Sequence, residues 1–332
     1  MIRIEGAGRN ANDEIWVDGE KQKMERECRM TVDTTQVAQT SQSSASTELQ
    51  TQTCGCKGIR FCAMCLSSER VRKLRIEEDK YADFAVFVYS NTLKRAVRTT
   101  QLNSTSGLED IRKATNEICA GSSESIEMDG LMLVENFLTA EEETDILKMI
   151  DKVEWVVSQS GRRKQDFGPK VNFKHRKVKT DNFEGMPEYA DFVLEKMRSI
   201  DANRLGNYFP YEMCNLEYEE VKKSGIEMHQ DDMWIWGNRL ISINLINGTV
   251  MTLTNESTRQ LCYVLMPHRS LLCMADSIRY DWKHGVMPYH VRDRRIALTM
   301  REPAPAFQEG GQLYEKYGKE LIRLGNQRVK LN

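Results

Sequence analysis

The spacing of apolar positions along the chain predicts a protein built mainly from short β-strands, with a few helices. Short apolar runs separated by Gly, Asn, Asp and Pro turns lie at residues 240–246, 261–266, 270–274 and 295–300. Many short strands with few helices are typical of a β-sandwich or jelly roll. Helical spacing follows a capping box formed by Thr139 and Glu142, and it returns over residues 312–324, where the predicted helix would cover a sheet.

Changes in residue composition and in apolar periodicity divide the chain into five predicted segments. Residues 1–53 are rich in Ser, Thr and Gln and show no apolar periodicity, so we expect them to be disordered. Residues 54–98 form a cysteine-rich module with a helix and a hairpin, and residues 99–125 form a polar linker. The β-rich domain then covers residues 126–303, and residues 304–332 contain a C-terminal amphipathic helix.

Composition excludes several classes of protein. The 332 residues are 40% hydrophobic and 29% charged, which suits one or two domains with a buried core. No apolar run approaches the roughly 18 residues that a membrane span requires, so no membrane partner is expected. A net charge of -2 disfavours strong overall attraction to nucleic acid, although a local basic patch remains compatible with it. Charged residues close to Met1 predict a cytoplasmic or nuclear protein in a reducing compartment.

Cysteine spacing adds a candidate metal site. Four of the nine cysteines fall within twelve positions, at Cys54, Cys56, Cys62 and Cys65. Two close pairs of thiolates suit one tetrahedral Zn²⁺, and Lys57 and Arg60 would offset its negative charge. Because four thiolates leave no open coordination position, such a zinc would serve local folding or partner docking. An iron–sulfur cluster and unliganded thiols are the alternatives.

A second candidate site involves histidine and carboxylate. His229 and Asp231 are two positions apart, so they share a face if the segment is a strand. A histidine followed by an acidic residue two positions later is also expected by chance in a chain of this composition, so on this pair alone a metal site and coincidence are about equally good explanations. His284 supplies a third candidate ligand. Arg295 and Arg301 would lie on the same face of a further strand, where two buried arginines require an anion such as a dicarboxylate. Two histidines and one carboxylate form the facial triad of non-haem Fe(II) oxygenases.

Several motifs in order resemble the AlkB family of Fe(II)/2-oxoglutarate dioxygenases, and in particular its fourth animal homologue. They are the cysteine cluster, residues 158–173, residues 214–218, His229-Gln230-Asp231, residues 231–237, Trp282-Lys283-His284 and the run from Arg295 to Arg301. The resemblance implies a double-stranded β-helix, or jelly roll, in which His229, Asp231 and His284 bind Fe(II). By the same resemblance His284 is preferred over His290, because the family's first cofactor arginine follows the distal histidine by about one strand. It is preferred over His268 because His268 precedes the wrong kind of segment.

The resemblance also implies a cofactor site and a reaction. Arg295 would bind the distal carboxylate of 2-oxoglutarate, Arg301 would lie nearer the metal, and Tyr218 would hydrogen-bond the cofactor. Family members carry Asn two positions before that Tyr, whereas this chain has Leu216 there and Asn215 beside it, so Asn215 is carried over as a candidate cofactor contact. With O2, such an enzyme oxidises an N-methyl group, which leaves as formaldehyde, while 2-oxoglutarate gives succinate and CO2.

The methyl acceptor is the open question. Met233 stands where base-repairing relatives often carry an acid, and Trp234 and Trp236 would share a strand face that suits methyl-lysine. The resemblance agrees, since the fourth homologue is associated with demethylating a monomethylated lysine of actin and with actomyosin regulation. N6-methyladenine in DNA is the alternative substrate. A zinc-containing binding scaffold with a non-essential metal site is a third hypothesis.

A basic strip bears on the same choice. It begins with Arg162, Arg163 and Lys164 and continues to Lys179, with one acidic residue, Asp166, inside it. Such a strip could hold a phosphate backbone or an acidic protein surface such as that of actin. Salt dependence of binding to DNA and to a protein substrate would distinguish the two partners.

Overall fold

Two seven-stranded sheets packed face to face form the centre of the structure, a computed structural model that describes residues 54–57, 60–73, 80–118 and 124–331. These residues belong to one compact unit that begins at Gln52. The segment predicted to be disordered, residues 1–53, lies outside the described residues.

The first sheet has the strand order β11-β16-β13-β14-β1-β2-β3 and is antiparallel except where β1 pairs with β14. Its strands are β1 (Ala85–Ser90), β2 (Arg95–Arg98), β3 (Ser125–Glu127), β11 (Ile226–His229), β13 (Thr249–Asn255), β14 (Gln260–Met266) and β16 (Lys283–Val286). The second sheet has the order β4-β15-β12-β17-β10-β6-β5 and is antiparallel. Its strands are β4 (Leu131–Val134), β5 (Val156–Val157), β6 (Arg163–Phe167), β10 (Glu212–Glu219), β12 (Trp236–Leu245), β15 (Leu271–Met274) and β17 (Arg294–Pro303).

Apolar side chains of both sheets meet in a central core that includes Phe87, Leu253 and Leu272. The outer face of the first sheet is covered by α2 (Leu108–Asn116), and the outer face of the second by helices that include α3 (Ala140–Ile150). The remaining helices are α1 (Glu69–Arg72), α4 (Ala190–Ile200), α5 (Ala202–Leu205), α6 (Asp276–Tyr280) and α7 (Lys319–Gly325). Two sheets with apolar inner faces and covered outer faces confirm the predicted jelly roll.

Local sequence signals fixed several elements correctly. The capping box is present, because Thr139 Oγ1 accepts from the amide of Glu142 while Glu142 Oε2 accepts from the amide of Thr139. The predicted C-terminal helix begins with a π-helical turn, Tyr314–Gly318, and continues into α7, whose Leu321 and Leu324 are buried against the second sheet. Within the described residues, no helix has both the length and the apolar character needed to cross a bilayer.

The predicted division at residues 98 and 125 does not match the sheet pairing. The β1–β2 hairpin, assigned above to the cysteine-rich module, is part of the first sheet through the parallel pairing of β1 with β14. The predicted linker contains α2, whose Ile111 is fully buried against that sheet. These segments are therefore integral to the main fold, because their apolar faces are buried by strands more than 130 residues away in the sequence.

Two smaller pairings complete the structure. β7 (Lys170–Asn172) and β8 (Lys177–Lys179) form an antiparallel hairpin, called the basic hairpin below. β9 (Met186–Pro187) pairs in parallel with β18 (Arg328–Val329). This pairing holds the C-terminal residues against the segment that precedes α4.

Candidate metal and cofactor site

Two histidines and a carboxylate meet at one end of the cleft between the sheets. His229 on β11 is the direct cross-strand partner of His284 on β16, and their ring centroids are 4.4 Å apart. Asp231 follows β11 and places Oδ1 3.5 Å from His229 Nε2. One potential ligand atom from each residue lies within 4.8 Å of those of the other two. This donor set and spacing fit a facial triad for Fe(II).

The protonation states of these three residues favour metal binding. Burial opposes ionisation of Asp231, but the charge of Arg301 outweighs it and holds the pKa of the carboxyl well below its usual range. Burial and the neighbouring His229 lower the pKa of His284 to about 3, so this imidazole is neutral near pH 7. His229 Nδ1 lies 2.8 Å from the carbonyl oxygen of Glu227, which can only accept; the Nε2 lone pair therefore faces Asp231.

Arg301 binds the carboxylate of Asp231 in a forked geometry. Its Nε lies 2.7 Å from Oδ2 and its Nη2 lies 3.3 Å from Oδ1. The remaining Nη1 donates to Glu212 Oε2 at 2.5 Å. Arg301 therefore lies at the metal end of the cleft, where the resemblance implied it, and its contacts orient the candidate ligand Asp231.

Arg295 has the geometry expected of a cofactor-binding arginine. Its side chain is 1% exposed, its Nε donates to Asn244 Oδ1 at 2.5 Å, and its guanidinium lies 4.8 Å from the centre of the Tyr218 ring. Nη1 has no hydrogen-bond partner among the described residues. A buried donor without a partner costs free energy, and a carboxylate is the acceptor that satisfies it best. The site therefore fits the distal carboxylate of 2-oxoglutarate.

The alternation predicted for β17 is present. The triad cavity is lined by the alternate β17 residues Arg295, Ala297, Thr299 and Arg301, and also by Leu216 and Tyr218 of β10. Asn215 is on the opposite face of β10, where Nδ2 donates to Gln165 Oε1 and to Tyr189 Oη, each at 2.8 Å. Asn215 was thus wrong as a cofactor contact, because residues three apart on a strand point to opposite faces.

The predicted tryptophan pair is also wrong. Residues 233–235 form a turn before β12, so Trp234 and Trp236 do not share a strand face. Trp234 packs edge-on against Phe307 at 5.2 Å. Trp236 is buried, and the guanidinium of Arg301 lies over its ring at 5.6 Å. An indole face already covered by an arginine is not free to bind a methylated ammonium group.

The first three residues of the basic strip are engaged within the fold. Arg162 is buried with its guanidinium 5.7 Å from the Tyr218 ring centre. Arg163 forms an ion pair with Glu217, and Lys164 forms one with Asp166. These residues therefore lack the unpaired exposed charge that a phosphate-binding strip requires.

Unpaired positive charge lies instead on the basic hairpin. Five exposed cations have no acidic partner within ion-pair distance among the described residues; they are Lys170, Lys174, Arg176, Lys177 and Lys179. Phe173, at the start of the turn, is 50% exposed. Lys170 and Phe173 border an open groove of about 440 Å³ that is also lined by Glu212 and Trp236. The groove therefore connects the hairpin to residues that contact Arg301.

Sequence reasoning missed Glu212, which lies between Arg301 and this groove. Glu212 and Arg301 are cross-strand partners on β10 and β17, so opposite charges at paired positions would have identified the contact once the register was known. It also missed Asn244 as the neutral partner of Arg295. The rejected histidines lie elsewhere: His290 is buried beside the carbonyl of Ser106, and His268 binds Glu143.

The four cysteines come together as predicted. One sulfur from each of Cys54, Cys56, Cys62 and Cys65 lies within 4.8 Å of the others, a spacing that fits a tetrahedral zinc site. Arg70 Nη2 lies 3.3 Å from Cys65 Sγ and supplies positive charge beside the sulfurs. The remaining described cysteines, Cys214, Cys262 and Cys273, are buried in the β-rich core as single thiols.

Comparison with known proteins gives close relatives. A Caenorhabditis elegans protein named DNA N6-methyl adenine demethylase is 67% identical over 282 residues, which cover 85% of this chain and 97% of that protein. The human alpha-ketoglutarate-dependent dioxygenase alkB homolog 4 is 34% identical over 302 residues, covering 82% of this chain and 92% of that protein. The mouse protein of the same name is 30% identical over 302 residues, with coverage of 82% and 93%. No family model matches the chain.

Proposed function

The chain belongs to the AlkB family of Fe(II)/2-oxoglutarate dioxygenases, and from this premise we propose that it demethylates N6-methyladenine in DNA. Membership makes it a demethylase that uses Fe(II), 2-oxoglutarate and O2, and its cysteine cluster fits zinc. The observation that carries the DNA assignment is the 67% identity to the C. elegans protein, which this chain matches over nearly its whole length.

The surface beside the site supports a nucleic-acid substrate. The basic hairpin presents cations that no described acid neutralises, and the exposed Phe173 offers a ring on which a base can stack. The groove that it borders runs toward the Arg301 end of the metal site. Because chemistry on a base requires its extrusion from the stack, we expect single-stranded DNA to bind here with the methylated base directed into the cleft.

The roles of the buried residues follow from their contacts. His229, Asp231 and His284 would hold Fe(II), which with 2-oxoglutarate and O2 supplies the oxidising power that converts the N-methyl group to formaldehyde. Arg295 binds the distal carboxylate of the cosubstrate through its unpartnered nitrogen, with Tyr218 beneath its guanidinium. The apolar side chains that line the same cavity, such as Leu216 and Met274, exclude water from it.

Arg301 has a different role, which is to keep Asp231 ionised and oriented. Two hydrogen bonds to this carboxylate stabilise its charged form, the form that binds a metal. Glu212 balances the remaining charge of Arg301 and reaches the groove, so it joins the metal site to the surface on which substrate would bind.

Methyl-lysine in an acidic protein such as actin is the second candidate. One observation favours it: Glu212 presents a carboxylate to the groove, and a carboxylate suits a cationic methylammonium group. The pair of tryptophans that supported this substrate in the sequence is not formed, and the basic hairpin would need an acidic protein surface as its partner.

A side-by-side assay tests the proposal. The full chain with Fe(II), ascorbate and 2-oxoglutarate is given either an N6-methyladenine oligonucleotide or actin monomethylated at lysine, and formaldehyde and demethylated product are measured. We expect turnover of the oligonucleotide to exceed that of actin, and we expect Asp231→Ala to abolish it. Preferential turnover of methylated actin would replace the DNA assignment by the second candidate, and turnover that survives Asp231→Ala would refute the metal assignment.

A further inference from the structure

The strand that carries His229 is weakly held by its own sheet. β11 is at the edge of the first sheet and has four residues; among the described residues its one partner strand is β16, with an irregular register between Ile226 and His229. An edge strand of this kind receives ladder hydrogen bonds on one side only. The position of His229 therefore depends on contacts made from the other side of β11.

Ser160 makes those contacts. This residue is 3% exposed, has a φ of 55°, and forms three hydrogen bonds with two different segments of the chain. Its hydroxyl donates to Glu227 Oε1 at 3.0 Å, and its carbonyl oxygen accepts from the amide of Gly225 at 3.1 Å. Its own amide donates to Cys56 Sγ at 3.2 Å. Ser160 thus joins the residues on both sides of Ile226 to a member of the cysteine cluster.

Glu227 links Ser160 to the candidate iron ligand His229. Glu227 bears the carboxylate that accepts from Ser160, and its carbonyl oxygen is the group that orients His229 through Nδ1 at 2.8 Å. Arg60, within the cysteine-rich segment, adds an ion pair with Glu227 at 3.4 Å. A hydrogen-bond partner of a ligating histidine fixes its ring and tautomer, and losing such partners typically weakens metal binding.

The segment that carries the four cysteines, residues 54–65, packs closely against the residues on either side of Ser160. A Cβ at Gly55 would lie 2.6 Å from the carbonyl oxygen of Ser158, so only glycine permits this approach. A Cβ at Gly161 would lie 3.3 Å from Cys62 Cβ, and Gly161 has a φ of 75°. A metal bound by the four cysteines would hold the Cys56 sulfur in a fixed position, and with it the acceptor of the Ser160 amide.

We propose that the cysteine cluster is a positioning element for the iron site, and that Ser160 couples zinc binding at the cluster to metal binding at the triad. The inference rests on the triad assigned in the proposed function, but it does not depend on which methylated substrate is used. Because coupling between two binding sites is reciprocal, zinc strengthens binding at the triad, and a metal at the triad strengthens zinc retention.

Mn²⁺ is the probe for the triad, because it prefers oxygen and nitrogen ligands and binds thiolates poorly. The zinc-loaded full chain is titrated anaerobically with Mn²⁺ followed by electron paramagnetic resonance, and zinc content is measured in the same samples. Ser160→Gly removes the hydroxyl while allowing the positive φ, so the backbone is not strained by the change. We expect its dissociation constant for Mn²⁺ to rise roughly tenfold with zinc content unchanged.

Two further variants separate positioning from general stability. Ser270→Ala removes a buried hydroxyl that bonds the carbonyl of Pro267 and no candidate metal ligand, and it should leave the Mn²⁺ affinity unchanged even if the melting temperature falls. Glu227→Gln keeps an acceptor for Ser160, so it should retain more Mn²⁺ affinity than Glu227→Ala. In the unmodified chain, saturating Mn²⁺ should reduce zinc loss to a chelator, and in Ser160→Gly this protection should be diminished.

The outcomes are distinct. A Mn²⁺ dissociation constant within twofold of wild type for Ser160→Gly, with His229→Ala abolishing binding, overturns the coupling and leaves the triad assignment intact. Mn²⁺ binding that is unaffected by His229→Ala overturns both the triad and the coupling. A tenfold higher Mn²⁺ dissociation constant in Ser160→Gly, together with tighter Mn²⁺ binding in Glu227→Gln than in Glu227→Ala, supports the coupling. This outcome holds whatever the methylated substrate proves to be.

Discussion

Replacing Arg295 by methionine should weaken 2-oxoglutarate binding by about one to two orders of magnitude, with little change in the stability of the cofactor-free protein. The substitution removes a buried guanidinium that has an unpartnered nitrogen. Replacing buried ionic groups by well-packed apolar side chains of similar volume is often neutral or favourable, by up to about 4 kcal/mol. Against this, Asn244 Oδ1 loses its donor, which costs about 1–3 kcal/mol. The two effects nearly cancel, so the melting temperature without cofactor should change little.

For 2-oxoglutarate binding, no second effect offsets the loss of the guanidinium. Hydrogen bonds between a guanidinium and a carboxylate contribute about 1.5–3 kcal/mol, so their loss should raise the dissociation constant of 2-oxoglutarate by about one to two orders of magnitude. A ligand at 100 times its dissociation constant stabilises the wild-type fold by about 2.7 kcal/mol. After a hundredfold loss of affinity, the same concentration contributes only about 0.4 kcal/mol.

Thermal unfolding with Mn²⁺, with and without 2-oxoglutarate, measures this difference. At about 2 °C per kcal/mol, the cosubstrate should raise the wild-type melting temperature by about 5 °C and that of Arg295→Met by less than about 1 °C. Arg294→Met is the matched control, because Arg294 is the preceding residue on β17 but pairs outward with Glu217 and Asp151. A shift of several degrees retained in Arg295→Met, or lost equally in Arg294→Met, would refute the assignment of Arg295.

Three other changes have defined outcomes. Burial lowers the pKa of His290 to about 4, so below pH 6.5 the unfolded chain binds a proton that the native chain does not, and stability falls as pH drops. His290→Gln should therefore reduce by about 3 kcal/mol the loss of unfolding free energy between pH 7 and pH 4, measured by urea titration; an unchanged pH dependence would contradict this. Lys174→Gln combined with Lys177→Gln should reduce the slope of log affinity for single-stranded DNA against log salt by about 1.4, since each phosphate contact contributes about 0.7; an unchanged slope would remove the basic hairpin from the DNA site. Gly55→Ala should lower the melting temperature and the zinc content, because its Cβ would lie 2.6 Å from the carbonyl oxygen of Ser158; normal values of both would show that this approach is not required.

Much of the fold could be predicted from sequence because its signals are local. Strand alternation, turn residues and the Thr139 capping box each depend on neighbours within a few positions, and the structure confirms them. The boundaries at residues 98 and 125 failed because they depend on distant pairing. The β1–β2 hairpin looks like part of a small module until β14 provides the strand beside it.

The site divides in the same way. Period-two alternation correctly placed Arg295 and Arg301 on one face. His229 and Asp231 also come together as predicted, although Asp231 lies just beyond the end of β11 and not on the strand. Trp234 and Trp236 have the same spacing, but a turn replaces the strand there. β12 begins at Trp236, so Trp234 lies in the turn before it. The alternation of side chains along a strand therefore does not apply to this pair.

The three arginines of β17 show why register carries information that periodicity lacks. Arg294 is paired with Asp151 and Glu217, and Arg301 with Asp231 and Glu212. Arg295, the most deeply buried of the three, has no carboxylate within ion-pair distance among the described residues. In sequence all three are cations on one strand; alternation separates Arg294 from the other two, but nothing local distinguishes Arg295 from Arg301. A protein that neutralises two of these charges itself and leaves the buried third to a neutral amide is arranged for an anion supplied from outside. Arg295 and Arg301 line the same cavity from one face of β17, so the two arginines, though alike in sequence, differ in what they contact: Arg301 holds a carboxylate of the protein, Asp231, whereas Arg295 keeps a nitrogen with no hydrogen-bond partner among the described residues.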